Sequence, residues 1–151
     1  MSLQNTIFGL QVGMSPIIAD DDKVPRVITD ADAKAIQNTI LTQINHLQNH
    51  DCAAALEQAA PHVNELFKNP DDLLTIVFQF YPMIYFAHTI EFGDLELTPE
   101  GIGQLVKFID RENDVEHALY VLERQLSGSW KIGGCMSLGK NPEKRPQLPF
   151  A

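Results

Sequence analysis

His46, His50 and Cys52 are the first residues in this chain whose types and spacing could do chemistry. The two histidines stand four apart, so on a helix they share a face and could hold a divalent metal. A working site needs a third or fourth ligand, and the glutamate of an H-E-x-x-H pattern is missing. The plainer reading is a pair of imidazoles near a helix C-terminus, where positive charge is favoured. No metal and no cofactor is expected. Cys135 follows Gly133-Gly134 and could act as a nucleophile, with His117 on the neighbouring strand as its base. The pairing expected below turns both toward the same face, at different heights along the strands. A strand cysteine packed as a small hydrophobe is the commoner arrangement, and paired glycines point to a bulge or a close backbone approach.

Five residues suit a ligand pocket better: Tyr81, Tyr85, Tyr120, Arg124 and Trp130. Rings with polar tips on an otherwise apolar face can line a cavity and hydrogen-bond its occupant. With Phe86 they could equally fill the core, their tips reaching backbone or water. Arg124 could clamp a carboxylate in a bidentate contact, or pair with a nearby acid and snorkel at the sheet edge. Asp94, Asp110 and His88 are the remaining acid–base candidates, and nothing visibly pairs them. There is no nucleophile elbow and no glycine-rich phosphate loop. No catalytic residue is assigned.

These side chains must be positioned by helices followed by strands. Thr29 and Asp32 form a capping box, and Ala33, Ile36, Ile40, Ile44 and Leu47 then recur at steps of three and four, which predicts a helix to about Asn49. Asp51 can cap a second helix from Cys52 to Leu56, ending or bending at Pro61. Asn69-Pro70-Asp71-Asp72 opens a third, carrying Leu73, Leu74, Ile76, Val77 and Phe80 before Tyr81-Pro82 stops it. Residues 83–97, 102–111, 115–126 and 130–138 read as strands separated by turn signals. In the last hairpin, placing Leu126 opposite Trp130 gathers Ala118, Tyr120, Leu122, Trp130, Ile132, Met136 and Leu138 on one face. The other face takes His117, Glu123, Gln125, Lys131 and Ser137, with Leu119 and Val121 out of place. The fold class expected is α+β, three N-terminal helices packed on one face of a strongly curved antiparallel sheet.

Composition sets the outer limits. The chain of 151 residues suits one domain, divided here into an arm (1–28), a folded body (29–139) and a tail (140–151). Eleven basic against twenty acidic residues leave a formal charge of −9, which repels phosphate backbones and argues against nucleic-acid binding. No apolar run reaches the roughly 18 residues of a membrane span. The N-terminus lacks a basic start, and Ile17-Ile18-Ala19 runs into an acidic triplet, so a cytoplasmic protein with free thiols is expected. Secretion would follow only had a leader been removed ahead of Met1.

The run Gly128-Ser129-Trp130-Lys131-Ile132-Gly133-Gly134-Cys135 closely resembles the closing hairpin of a mainly bacterial family known as domain of unknown function 4864. Ala59-Ala60-Pro61, Phe67, Asn69-Pro70, Tyr81-Pro82 and Phe92-Gly93 fall in matching order upstream. The resemblance covers roughly residues 30–138. It implies a nuclear transport factor 2-like (cystatin-like) cone, a fold that often dimerises through its sheet and often holds a pocket between sheet and helices. Such cones host isomerases, dehydratases and pure binding modules, so the fold alone implies no chemistry.

Two compatible readings lead. One is a module that binds a small apolar or amphipathic ligand. The other is a homodimer formed through the outer sheet face near His117, Leu119 and Val121. The alternative is an enzyme of isomerase, dehydratase or hydrolase type acting in the cone cavity, which requires a perturbed acid or base there.

Overall fold

The computed structural model describes residues 28–142, so the arm (but for Ile28) and most of the expected tail lie outside the described residues. Helix α1 (Asp30–Gln48) begins at the expected capping box. The Thr29 hydroxyl accepts from the Asp32 amide at 3.0 Å, and the Asp32 carboxylate accepts from the Thr29 amide at 3.1 Å. Its buried stripe is the aliphatic one read from spacing: Ile36, Ile40, Ile44 and Leu47. Helix α2 (Cys52–Leu56) is capped by Asp51, and a single turn, α3 (Pro61–Asn64), follows. Helix α4 (Asp71–Phe80) starts where Asn69 accepts from the Asp71 amide.

The structure differs next. Residues 83–86, expected to open the first strand, belong instead to a short helix, α5 (Pro82–Phe86). Proline disfavours helical backbone in the residue before it, so the break falls on Tyr81 (φ −137, ψ 48), while Pro82 itself sits comfortably in a first turn. Five helical segments therefore replace three. The Gln48 amide ties α5 down by donating to the carbonyls of Ile84 and Ala87, each at 3.0 Å.

Four strands follow among the described residues: β1 (Thr89–Thr98), β2 (Gly101–Ile109), β3 (Val115–Arg124) and β4 (Trp130–Gly139). They form one antiparallel meander in chain order. Ile102, Val106, Phe108, Ala118, Tyr120, Leu122, Trp130 and Ile132 join the α1 stripe in a single core. The fold is α+β, with helices covering the sheet face that carries Trp130. At the first turn Thr98 accepts from the amides of Glu100 and Gly101, and a Cβ on Gly101 would strike the Leu122 carbonyl.

Bulges interrupt the ladder at three places: between Phe92 and Leu95 in β1, and beside Gly133 and Leu138 in β4. Each adds twist and bends its strand. The buried Gln104 amide closes the β1 bulge by donating to Gly93 O at 2.8 Å. The loose edge of β4 is also occupied: Ile132 donates to Gln58 O, and Ala60 donates to Ile132 O, both at 2.8 Å.

The closing hairpin has a longer connection than expected, five residues (125–129) instead of three. Arg124, not Leu126, lies opposite Trp130. Gly128 takes φ +94, and Gln125 and Ser129 close the turn through 2.8 Å hydrogen bonds, which throws Leu126 to the tip, 90% exposed. A slip of two residues preserves the faces, so Trp130, Ile132, Leu122 and Tyr120 still point to the core. The Gly133 bulge then reverses the alternation. Cys135 pairs with Tyr120 and packs against the core, while Met136, expected inside, pairs with Leu119 on the other face.

Candidate functional site

Helix α5, the β2–β3 turn and the end of β4 surround an open groove of about 880 Å³. One wall is apolar: Phe80, Pro82, Met83, Tyr85 and Phe86, with the buried Phe108 behind them. Phe80 and Phe86 remain 56% and 57% exposed. Tyr85 is the hinge of this wall. Its ring lies 4.7 Å from Phe78 and 5.1 Å from Phe86, and its hydroxyl meets His50 Nε2 at 2.6 Å. His50 adopts φ +61 just beyond α1, which brings its ring over Tyr85.

The facing wall is polar and mostly acidic: Asp110, Glu112, Asp114 and Glu116, with Arg111, Ser137 and Lys140. Asp110 organises the turn. Its Oδ1 accepts from the amides of Glu112 at 2.8 Å and Asp114 at 3.0 Å, and Asn113 supplies the left-handed backbone (φ +67). Carboxylate oxygens of Asp110, Glu112 and Asp114 lie within 4.8 Å of one another, the one such group of potential metal ligands among the described residues. Lys140 Nζ stands 3.3 Å from Glu116.

The five residues expected to line a pocket are not brought together. Tyr85 alone borders the groove. Tyr81 is half-buried and donates to Cys135 O at 2.9 Å. Tyr120 is fully buried, and the weakly bonding Cys135 thiol is the polar neighbour of its hydroxyl among the described residues. Arg124 and Trp130 belong to the opposite end of the sheet, with the guanidinium 5.9 Å from the indole centroid and 3.9 Å from Asp32. Eight residues of β3 separate Arg124 from Glu116, about 26 Å at the usual strand rise, too far for one small ligand. Three of the five had core chemistry, and Arg124 took the acid-pairing alternative.

The other sequence candidates separate as well. His46, His50 and Cys52 do not converge, because Cys52 is buried and His50 is turned to Tyr85. Cys135 and His117 lie on opposite faces: the bulge turns Cys135 inward, whereas His117 Nδ1 meets Gly139 O at 3.1 Å. Burial pushes the Cys135 thiol up to about 12, which suppresses the thiolate a nucleophile requires. Burial likewise raises Tyr81, and raises Tyr120 well above its ordinary range. Leu119 and Val121, which suggested pairing through the sheet, are buried within the chain at 0% and 2% exposure.

One polar pair went unforeseen. The buried Glu123 carboxylate reaches past β4 to His62 Nε2 at 2.7 Å. A Cβ on Gly133 would overlap that carboxylate, so the glycine keeps its path open. The groove was missed for a related reason. Phe80 and Phe86 read as buried helix and strand residues, but Phe80 is exposed at the end of α4 and Phe86 at the end of the unexpected α5. Asp110 was noticed alone, while Glu112 and Asp114 read as turn-formers; their density within five residues was the available signal.

Among the described residues no helix is long and apolar enough to cross a membrane. No curated protein matches the chain. The sequence pattern of the family described as Domain of unknown function (DUF4864) matches residues 29–145, which takes in every helix and strand above. The chain belongs to that family.

Proposed function

We propose that this protein is a binding module whose site is the groove between α5 and the β2–β3 turn, and that it takes a small amphipathic ligand. The observation that carries the reading is the pair of half-exposed rings, Phe80 and Phe86, lining a concavity of about 880 Å³. That volume lies within the range of small-ligand sites, and aromatic surface left open in a concave wall is the usual mark of one. The bulged meander with helices on one face is also consistent with a nuclear transport factor 2-like cone, and we read it as one. The binding site proposed differs from a cavity between sheet and α1, where Ile36, Ile40, Tyr120 and Trp130 pack as core. A neutral probe, indole-3-ethanol, tests the reading in an amide-resolved NMR titration. Saturable shifts confined to residues around Phe80, Phe86 and Phe108 are expected, and weakened in Phe86→Ser. Shifts spread over the whole surface, or none, would remove the groove as a site.

A second reading is self-association through the outer side of α4, where Ile76 and Phe78 are 36% and 43% exposed without bordering the groove. It replaces the sheet-mediated homodimer, whose apolar residues are already covered. Sedimentation at rising concentration, with Phe78→Glu as control, distinguishes it from a monomer. The enzyme alternative ranks below both, since its best nucleophile and base, Cys135 and His117, are divided by the sheet.

A further inference from the structure

The groove sets an aromatic wall against a carboxylate wall, and that juxtaposition narrows the ligand. We infer that the ligand carries a positive charge: a small protonated amine with an aromatic or aliphatic body. This rests on the groove being the binding site.

Four carboxylates face the groove, and Lys140 engages one of them, Glu116. Asp110, Glu112 and Asp114 remain, crowded within 4.8 Å, with Arg111 the other cation in the wall among the described residues. Two backbone amides hold the Asp110 carboxylate, which fixes one of the three and closes the short turn that carries the other two. A neutral ligand covering this wall would strip water from like charges and return nothing. An anion would add repulsion. A bare metal ion would leave Phe80, Met83 and Phe86 uncovered. A cation on an apolar body satisfies both walls at once. The formal charge of −9 on the chain favours its approach.

Three indoles that differ only in the head group decide the matter: tryptamine (cation), indole-3-ethanol (neutral) and indole-3-acetate (anion), titrated by NMR at pH 7 and two salt concentrations. Tryptamine should bind about ten-fold tighter than the alcohol, as expected for one cation near two or three partly hydrated carboxylates, and the acetate weakest. High salt should narrow the gap. The Glu112→Gln/Asp114→Asn double variant should abolish the preference, with the alcohol bound at least as tightly as by the wild type, since less charge must be dehydrated. Equal affinities, a preference for acetate, or a preference that survives the double variant would overturn the charge assignment and leave the groove standing. Silence from all three compounds in the groove would refute the site and the charge together.

Discussion

Tyr120→Phe should stabilise this protein. Most buried tyrosines donate a hydrogen bond, and removing that hydroxyl costs about 1 kcal/mol. Here the side chain is fully buried, and its hydroxyl makes no hydrogen bond of good geometry among the described residues; the Cys135 thiol beside it is a weak partner. A hydroxyl moved from water to such a place loses roughly 1–3 kcal/mol of solvation, which a weak thiol contact restores only in part. Phenylalanine keeps the ring and its contacts with the core, so the deletion should recover about 1–2 kcal/mol. For a domain of this size that raises Tm by about 2–8 °C. Tyr81→Phe is the built-in control. Its hydroxyl donates to Cys135 O at 2.9 Å, so the same chemical change should lower stability by about 1 kcal/mol. Urea unfolding followed by far-UV circular dichroism, with the slopes compared to confirm an unchanged transition, measures both. Opposite signs are the expected outcome. A Tyr120→Phe protein less stable than wild type, by as much as the Tyr81 variant or more, would refute the claim that this hydroxyl lacks a good partner.

Two further predictions come from burial and backbone. Cys135 is held near 12 against an ordinary 9.0, and Tyr120 and Tyr81 lie above their ordinary 10.0, burial being the first cause in each. In the unfolded chain these groups release protons at lower pH than in the folded one. Their contribution is fully present below about pH 9 and is lost as pH rises, by up to ~1.4 kcal/mol per pH unit for each group titrating. Unfolding at pH 8 and 10.5 should show the fall, and Cys135→Ala should flatten its first part; a stability constant across that range would contradict it. Gly101→Ala would drive its methyl group into the Leu122 carbonyl, a backbone atom that cannot step aside. A loss of at least about 2 kcal/mol is expected by thermal unfolding, and a variant of native stability would show that the hairpin tolerates a side chain there.

Local chemistry made much of the architecture legible. The capping box at Thr29 and the aliphatic stripe from Ile36 to Leu47 depend only on helix geometry, and both appear as read. The four strands and their turns follow from β-branched runs punctuated by glycine, proline and acidic clusters. Trp130 faces the core because alternation survives a slip of two residues.

Tertiary context decided the rest. Pro82 could end one helix or begin another, and only the packing of α5 under Gln48 selected the second. Bulge positions change which residues share a face, so Cys135 and His117 could not be placed before the Gly133 bulge was seen. The candidate site followed the same rule. Tyr81, Tyr85, Tyr120, Arg124 and Trp130 have pocket chemistry, but composition carries no information on which end of a strand each occupies. Phe80, Phe86 and the Asp110 turn lie far apart in sequence, and they meet because α5 folds back onto the Val115 end of the sheet. Elements arise from interactions a few residues long, whereas a groove is a meeting of remote segments and exists only once the chain is closed.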